Sequence, residues 1–319
     1  MSRNPAMLSR RPIRFPAGGL LGLLLWGICL VGPGPAAALP GRLVFQRPGD
    51  DRIWLSDLSA RKPLSVARGA DPEISPEGTR VAFTRSDSRG GRTVAVLDLE
   101  SRSLRVLPLP GDNSYGPRWS PDGKLLVFNH WDRKASNWTL GVAAPDGTGL
   151  HLFPSLPGGV YSPAWDPRGE SLYAQDLRTL YRFDLSGTLT ERRPLKEVLG
   201  SLSPDSALRL CPLPDGAWLF DGARLDASHP VARAVSEPAS EVGLLLPGGE
   251  RRRLSPSSLS ASHPSPLADG GVVFDGFGVR DVTGKGEGLR IRFRLYRMDP
   301  QGKVTPLGLE GMHPSCSVR

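Results

Sequence analysis

The chain has 319 residues, of which 40 are Lys or Arg and 32 are Asp or Glu, so its formal net charge is +8. Four of the basic residues, Arg3, Arg10, Arg11 and Arg14, lie in the first 38 residues, where there is no acidic residue. Removal of that segment leaves a net charge of only +4. The charge therefore gives no indication of a basic surface for nucleic acid.

Residues 1–38 have the composition of a cleaved export signal. The basic start is followed by an apolar run over 20–31 and then by three small residues that end at Ala38. An apolar helix of this length rises only about 18 Å, which is too short to cross a bilayer of about 30 Å. The sequence predicts cleavage after Ala38, no transmembrane segment afterwards, and a periplasmic or secreted protein. The segment is compatible with export by the Sec route and by the twin-arginine route.

A repeat occupies the chain from residue 41 onward. Its inner half consists of a proline anchor, an apolar residue, a tight turn and an alternating strand. The most complete copy spans 116–128, and further copies stand at 72–83, 163–173, 210–220 and 264–274. The fragments 313–317 and 41–45 are the two halves of a sixth copy, divided between the ends of the chain.

The outer half of the repeat gives an independent count. It reads as strand, turn and strand, with Gly-containing turns between apolar runs, which is typical of hairpins. Six copies are found, at 53–66, 93–107, 139–152, 180–195, 242–254 and 295–307. One register is open, because 203–205 resembles the turn that we assign to 214–216. The later turn makes 220–222 match 274–276 and leaves 196–209 as a connector.

Four short strands over about 40 to 50 residues are the spacing of a propeller blade. We predict an all-β fold, a six-bladed β-propeller of four-stranded blades that spans 39–319 as one domain. The C-terminal strand should pair into the N-terminal blade and remove the exposed sheet edges. Trp119 and Trp165 should pack between blades. Cys211 and Cys316 lie in non-adjacent repeats, which favours two buried thiols over a disulfide.

The motif at 119–124, with relatives at 75–78 and 166–169, resembles the Pro-Asp, WD40-like propeller repeat of the TolB type. The resemblance covers 41–317 and implies an exported propeller that binds a protein or a ligand. TolB proteins have an additional N-terminal α/β domain, whereas we expect the propeller alone because a strand starts at 41. The repeat is also similar to the propeller of the prolyl oligopeptidase family, but no Gly-x-Ser-x-Gly nucleophile turn is present.

The long connections of such a propeller should lie on one face, and long loops on a rigid scaffold commonly carry binding groups. They are expected at 84–92, 110–116, 129–137, 154–162, 221–241 and 275–288. Aromatic residues and Arg are common anchors of protein interfaces. The predicted binding residues are Tyr115, His130, Trp131, Arg133, Tyr161 and Phe277, and packing of each residue on the adjacent blade is the alternative reading.

The residues that precede the proline anchors should form a ring at one mouth of the axial channel. His263, His313 and Asp71 come from three consecutive blades, and two imidazoles with a carboxylate are a plausible divalent-metal set. Propeller lyases with this kind of repeat hold a metal at a comparable location, as the resemblance implies. A residue before proline is expected to be extended, which could instead turn these side chains into a loop.

We therefore predict a non-catalytic binding propeller of the bacterial cell envelope, monomeric and without a cofactor. Its partner would be an envelope protein or a small ligand or glycan, bound through the long-loop face and the channel mouth. The alternative is a metal-assisted polysaccharide lyase or hydrolase-like enzyme, with one divalent metal ion at the channel mouth.

Overall fold

A computed structural model describes residues 41–60 and 62–317, which form a six-bladed β-propeller. The predicted export signal over 1–38 lies outside the described residues.

The strands of the first three blades follow the chain order. Blade 1 contains β1 (Arg42–Gln46), β2 (Arg52–Asp57) and β3 (Leu64–Arg68). Blade 2 contains β4 (Ala70–Ile74), β5 (Arg80–Ser86), β6 (Arg92–Asp98) and β7 (Leu104–Val106). Blade 3 contains β8 (Ser114–Trp119), β9 (Leu126–Asp132), β10 (Asn137–Ala143) and β11 (His151–Leu152).

The second half of the ring adds two helices and a small hairpin. Blade 4 contains β12 (Tyr161–Trp165), β13 (Ser171–Gln175), β14 (Thr179–Asp184) and β15 (Leu189–Pro194), and helix α1 (Lys196–Leu199) follows it. Blade 5 contains β16 (Leu210–Pro212), β17 (Trp218–Arg224), β18 (Ala239–Leu245) and β19 (Arg251–Arg253), with α2 (Pro230–Val235) between β17 and β18.

Blade 6 contains β20 (Leu259–Pro266), β21 (Val272–Gly278), β24 (Arg294–Met298) and β25 (Val304–Glu310). Between β21 and β24 lie β22 (Val282–Thr283), β23 (Arg290–Ile291) and two 3-10 turns, Val279–Asp281 and Gly286–Gly288. The last strand is β26 (Met312–Cys316).

The ring closes as the split repeat predicts. Strand β26 pairs antiparallel with β1, with Cys316 opposite Leu43 and Ser315 opposite Val44. Beyond the strand, the Ser317 N–H donates to the Arg42 carbonyl at 3.0 Å. Blade 1 therefore takes its innermost strand from the C-terminal end of the propeller, and the closure leaves no open sheet edge at this joint.

Burial between neighbouring blades accounts for the composition of the second strands. Val81, Ala82 and Phe83 in β5 are all fully buried, although successive side chains of a strand point to opposite faces. One apolar cluster joins Val44 and Ile53 of blade 1 to the second blade. Each sheet thus has both faces covered by its neighbours, which explains the short runs of consecutive apolar residues.

Two tryptophans connect adjacent blades, as predicted from the repeat. Trp119 and Trp165 are buried, and their indole N–H groups donate to the preceding blade. Trp119 Nε1 donates to the Glu73 carbonyl at 3.0 Å, and Trp165 Nε1 donates to the Arg118 carbonyl at 3.1 Å. The equivalent bonds fix both rings between the sheets.

The Asp-Gly turns have the conformation that their sequence requires. The Gly123 N–H donates to the Ser120 carbonyl at 2.9 Å, and Gly123 has a φ of 73°, in the left-handed region that glycine tolerates. Ser120 Oγ donates to Asp122 Oδ1 at 2.7 Å. These hairpin turns all lie on one side of the ring, which we call the turn face; the opposite side, with the loops that leave the second strands, is the long-loop face.

The register of blade 5 agrees with the later of the two possible turns. Cys211 lies opposite Leu219 in the β16–β17 pair, so the turn is formed by 213–217. The connector after blade 4 contains α1, a helix that was not predicted. Helix α2 was also missed, although Pro230 stands at its first turn and His229 Nδ1 accepts the Val231 N–H at 3.2 Å.

The two cysteines of the described chain are free thiols, as expected. Cys316 is buried and Cys211 is half-buried. Burial raises the pKa of Cys316 to about 12 and also raises the pKa of Cys211. Both thiols are therefore protonated near neutral pH and lack the thiolate character of a nucleophile.

Candidate functional site

A ring of left-handed residues marks the mouth of the axial channel on the long-loop face. The expectation that residues before the proline anchors are extended was wrong. Each instead forms a bulge where the pairing of first and second strands shifts register. The residues and their φ values are Asp71 (50°), Gly116 (63°), Ser162 (55°), His263 (53°) and His313 (52°).

Polar side chains of the second strands explain this conformation. The bulge turns a backbone N–H toward the preceding blade, where a buried or half-buried side chain accepts it. The backbone N–H near the channel axis thereby has a hydrogen-bond acceptor, and the bond connects each of these blades to the preceding one. The four bonds described run from Asp71 to Gln46 Oε1 (2.8 Å), from Gly116 to Thr84 Oγ1 (2.9 Å), from His263 to Asp221 Oδ2 (2.7 Å) and from His313 to Asp275 Oδ2 (2.7 Å).

The structure brings the three predicted metal ligands together. The rings of His263 and His313 are stacked, with centroids 3.8 Å apart and planes at 24°. His313 Nδ1 lies 3.7 Å from Asp71 Oδ1. His263 Nδ1 donates to Asp275 Oδ2 at 2.8 Å, so this nitrogen is already engaged by a carboxylate.

The two imidazoles have opposite protonation tendencies. Burial opposes the charge of His263, but Asp275 outweighs it and raises the pKa of this imidazole. Burial lowers the pKa of His313 well below the ordinary value, and His263, Arg118 and Arg209 lower it further. The neutral ring of His313 therefore stacks on the ring of His263, which takes up a proton more readily.

This arrangement does not fit a metal ion as it stands. Ligand nitrogens must direct their in-plane lone pairs at a single ion about 2.0–2.2 Å away, whereas stacked rings direct theirs along nearly parallel planes. Within the part of the chain that the structure describes, no three His, Cys, Asp or Glu side chains are placed to hold a metal. Binding would require a ring to leave the stack.

An ion-pair cluster crosses the channel below this ring. Glu73 of blade 2 accepts from Arg118 NH1 of blade 3 at 3.1 Å and from Arg209 NH2 at 2.8 Å, both through Oε2. Arg209 immediately precedes blade 5, so the Arg209–Glu73 bond spans the ring. Burial opposes the charge of Arg209, but Glu73 outweighs it and raises the pKa of this guanidinium.

Cavities lie on both sides of this cluster. Toward the turn face opens a cavity of about 950 Å³, which we call the turn-face funnel. Its floor contains the three charged residues, and its wall includes Trp119, Pro121, Trp165, Pro167, Pro214 and Pro266. On the long-loop side, a polar cavity of about 260 Å³ is lined by Asp205, Asp221, Ser262, His263 and His313.

The long-loop face carries a cluster of three aromatic rings and an arginine, which we call the aromatic cluster. Tyr115 packs edge-to-face on Trp138 at 5.1 Å, and Trp131 packs on the same indole at 5.2 Å. The Arg92 guanidinium lies 3.9 Å from the Tyr115 ring centre, and Arg92 Nε donates to Asn113 Oδ1 at 2.8 Å. All four cluster side chains are half-buried.

Two further predicted residues lie next to this cluster. His130 and Arg133 line a cavity of about 350 Å³ together with Trp131. His130 is buried and hydrogen-bonded through Nδ1 to Ser114 Oγ at 2.9 Å, and burial lowers the pKa of this imidazole. Arg133 is exposed and pairs with Asp112 at 2.6 Å. Tyr115, His130, Trp131 and Arg133 are therefore parts of one region.

Tyr161 and Phe277 have different surroundings. Tyr161 is half-buried at the start of β12, opposite Gln175 of β13. Phe277 is buried in an apolar cluster with Val231 and Ala232 of α2, and it packs edge-to-face on Phe293 at 5.0 Å. Phe277 thus supports the α2 segment from below and offers little surface to a partner.

Arg92 and Trp138, which hold the aromatic cluster together, were not among the predicted binding residues. Arg92 is the first residue of β6 and Trp138 is the second residue of β10, at the ends of two loops that were already expected on this face. Their signal was a cationic or aromatic residue where a long loop meets the third strand of a blade. The polar acceptors of the second strands were also not predicted, although each directly follows a buried phenylalanine, as in Phe83-Thr84 and Phe274-Asp275.

Comparison with known proteins gives short sequence matches. The Bacillus subtilis (strain 168) protein named "Uncharacterized peptidase YuxL" is 33% identical over 120 residues, 36% of this chain and 18% of that protein. Tol-Pal system protein TolB of Nitratidesulfovibrio vulgaris (Hildenborough) is 38% identical over 56 residues, 17% of this chain and 12% of that protein. The chain thus covers less than a fifth of either relative. No family model matches the sequence.

Solved structures match over most of the propeller. TolB from Acinetobacter baumannii superposes with a TM-score of 0.59 and 18% identity, over 88% of this chain and 67% of that one. A putative TolB from Agrobacterium tumefaciens superposes with a TM-score of 0.56 and 18% identity, over 87% of this chain and 92% of that one. The chain therefore shares the propeller fold of TolB, which agrees with the resemblance of its repeat.

None of the helices within residues 41–60 and 62–317 has both the length and the apolar character that a membrane span needs.

Proposed function

We propose that this chain is an exported, monomeric propeller that binds a protein of the cell envelope through its long-loop face. The observation that carries the proposal is the aromatic cluster. Tyr, Trp and Arg are the residues most enriched among those that dominate interface energies, and here three rings and one guanidinium occur together on one face.

The supporting scaffold is rigid where the cluster is attached. Trp138 and Trp131 lie opposite each other in the β9–β10 pair, and the Trp131 N–H donates to the Asn113 carbonyl at 2.9 Å. A partner would therefore meet rings that are already held in position, which lowers the entropy cost of association. One sequence match of this chain is named Tol-Pal system protein TolB, and the propeller superposes on a TolB structure. Both similarities support an envelope protein as the partner class.

Affinity capture from an envelope extract tests the proposal. The immobilised propeller should retain a discrete protein, and Trp131→Ala should weaken its binding by about tenfold or more. Gln301→Ala is the matched control, because Gln301 is exposed on the turn face. Equal retention by both variants, with unchanged melting temperatures, would contradict the long-loop face as the contact.

Export is tested separately by mass spectrometry of the mature protein. Processing after Ala38 is expected, with the protein in the periplasmic or secreted fraction. Retention of Arg14 in a membrane-bound chain would contradict this part of the proposal.

The alternative function, a metal-assisted lyase or hydrolase-like enzyme, rests on the convergence of His263, His313 and Asp71. It requires His313 to rotate out of the ring stack. Calorimetric titration with Mn²⁺ or Zn²⁺ decides between the two functions: a flat titration removes the alternative. Stoichiometric binding that is lost in the His263→Ala, His313→Ala double variant would support it.

A further inference from the structure

The turn-face funnel has the features of a preformed ligand site. Its volume of about 950 Å³ is within the range of small-molecule pockets, and its wall is largely proline, tryptophan and aliphatic. Trp119 and Trp165 cannot turn freely, because each indole N–H is bonded to the backbone of the preceding blade. A ligand would therefore enter an apolar cavity that is already shaped.

Guanidinium donors are concentrated at the floor of the funnel. Arg118 and Arg209 each have five N–H donors, and one donor from each contacts the same oxygen of Glu73. Arg209 also contacts the Cys211 thiol, so Arg118 keeps more donors for a ligand. The exposed fraction of the side chain is 22% for Arg118 and 10% for Arg209, so Arg118 is the more accessible cation. Two guanidiniums thus share one carboxylate at the floor.

The charge of Arg118 is the less well compensated of the two. Burial and the nearby Arg209 lower the pKa of Arg118, whereas the pKa of Arg209 is raised by Glu73. A second anion beside Arg118 would relieve the repulsion between the two guanidiniums and supply acceptors for their free donors.

The other charged groups nearby make contacts of their own. At the rim, Arg252 pairs with Glu250 and Arg253 pairs with Glu241, while the exposed Asp215 accepts the Ala217 N–H at 3.0 Å. On the far side of the floor, Asp275 accepts from His263, and Asp71 accepts the Thr84 hydroxyl at 2.8 Å. Neither of these aspartates lines the funnel.

We propose that the turn-face funnel binds an apolar chain that ends in a carboxylate. The carboxylate would contact Arg118 at the floor, and the chain would lie against Trp119, Trp165 and the proline wall. The guanidinium plane matches a carboxylate with two parallel N–H donors, which gives the end group its specificity. The proposal concerns the face opposite the aromatic cluster and does not depend on the proposed function.

Two matched ligand pairs test the proposal and identify the source of the chain. The first pair is decanoate and decanol; the second is an N-acetylated apolar hexapeptide with a free or an amidated C-terminus. Binding is followed by titration calorimetry and by the fluorescence of the funnel tryptophans. In at least one pair the acid should bind about tenfold or more tightly than its neutral partner. Equal affinities in both pairs, or no binding at millimolar concentration, would overturn it.

Variants then place the site. Arg118→Met should reduce the preference for the acid to about threefold or less, whereas Arg68→Met, at an exposed arginine that does not line the funnel, should leave it unchanged. If Arg118→Met lowers the melting temperature, Ala268→Trp provides the second test, because Ala268 lies exposed at the funnel rim. This substitution should weaken acid binding about tenfold, since the larger ring fills the entrance. Undiminished binding by Ala268→Trp would exclude the funnel.

Discussion

Glu73 is the single residue on which the charge balance of the channel depends. Glu73→Gln would leave Arg118 and Arg209 buried without their shared carboxylate, and we expect a loss of about 3–5 kcal/mol in the free energy of unfolding. Glu77→Gln is the matched control. Glu77 pairs with Arg80 at 2.7 Å in a more exposed position, so its loss should be at most about 1 kcal/mol. Urea unfolding measures both, and equal losses would contradict the structural role of Glu73.

His130 makes the stability of the propeller depend on pH. Burial lowers its pKa in the folded chain below the value near 6.5 of the unfolded chain. As the pH falls through 6.5, the unfolded chain takes up a proton that the folded chain does not, so stability decreases until the folded pKa is reached. In that window His130 contributes a slope of up to about 1.4 kcal/mol per pH unit.

His130→Gln removes this contribution and should flatten the curve of unfolding free energy against pH below 6.5. Above pH 7 the difference between wild type and variant should stay constant. Chemical denaturation at a series of pH values measures the two curves. Parallel curves from pH 7 down to pH 5 would show that His130 is not responsible.

Side-chain partners differ in how far sequence could predict them. Tyr115 and Trp131 could be assigned to a common face, because the repeat places both in loops on the same side. Phe277 follows the same rule but is covered by α2, whose contact with β21 depends on a connection without a counterpart in the other blades. The Arg209–Glu73 bond joins residues 136 positions apart across the axis, so only the closed ring brings them together.

At the scale of the strands, the bond from one blade to the next is the feature to test. Thr84 accepts the Gly116 N–H and donates to Asp71, so it connects two consecutive blades. Thr84→Val keeps the shape and leaves a buried N–H without its acceptor, which should cost about 1–3 kcal/mol. Thr93→Val, at a half-exposed strand position of the same blade, should be nearly neutral. Thermal and denaturant unfolding compare the two, and equal effects would contradict the proposed connection.

The strands themselves were largely predictable, and the bulges were not. Proline anchors, Asp-Gly turns and short apolar runs recur with a regular spacing, and each is a local signal. The left-handed residues arise because a backbone N–H meets an acceptor on another blade, a contact that no local pattern contains. Helix α2 was hidden for a similar reason, since its apolar residues pack on blade 6 and its pattern is only six residues long.

Closure of the ring is the property of the whole molecule that the split repeat predicted. Deletion of residues 312–319 removes β26, which supplies the innermost strand of blade 1. The loss of several kcal/mol should lower the melting temperature by about 10 °C or more. A chain that ends at Ser317 keeps the strand and its bonds to Arg42, and it should melt like the full chain. An unchanged melting temperature after the longer deletion would contradict closure by this strand.

Site-specific photo-crosslinking in intact cells tests most directly whether the long-loop face is the binding face. A photoreactive amino acid is placed at position 131 in the aromatic cluster or at position 301 on the turn face, one position in each variant. We predict a discrete crosslinked protein from position 131, recovered from the envelope fraction, and none of that species from position 301. Crosslinking of the same protein from position 301 alone, or equally from both positions, would contradict the assignment of the long-loop face.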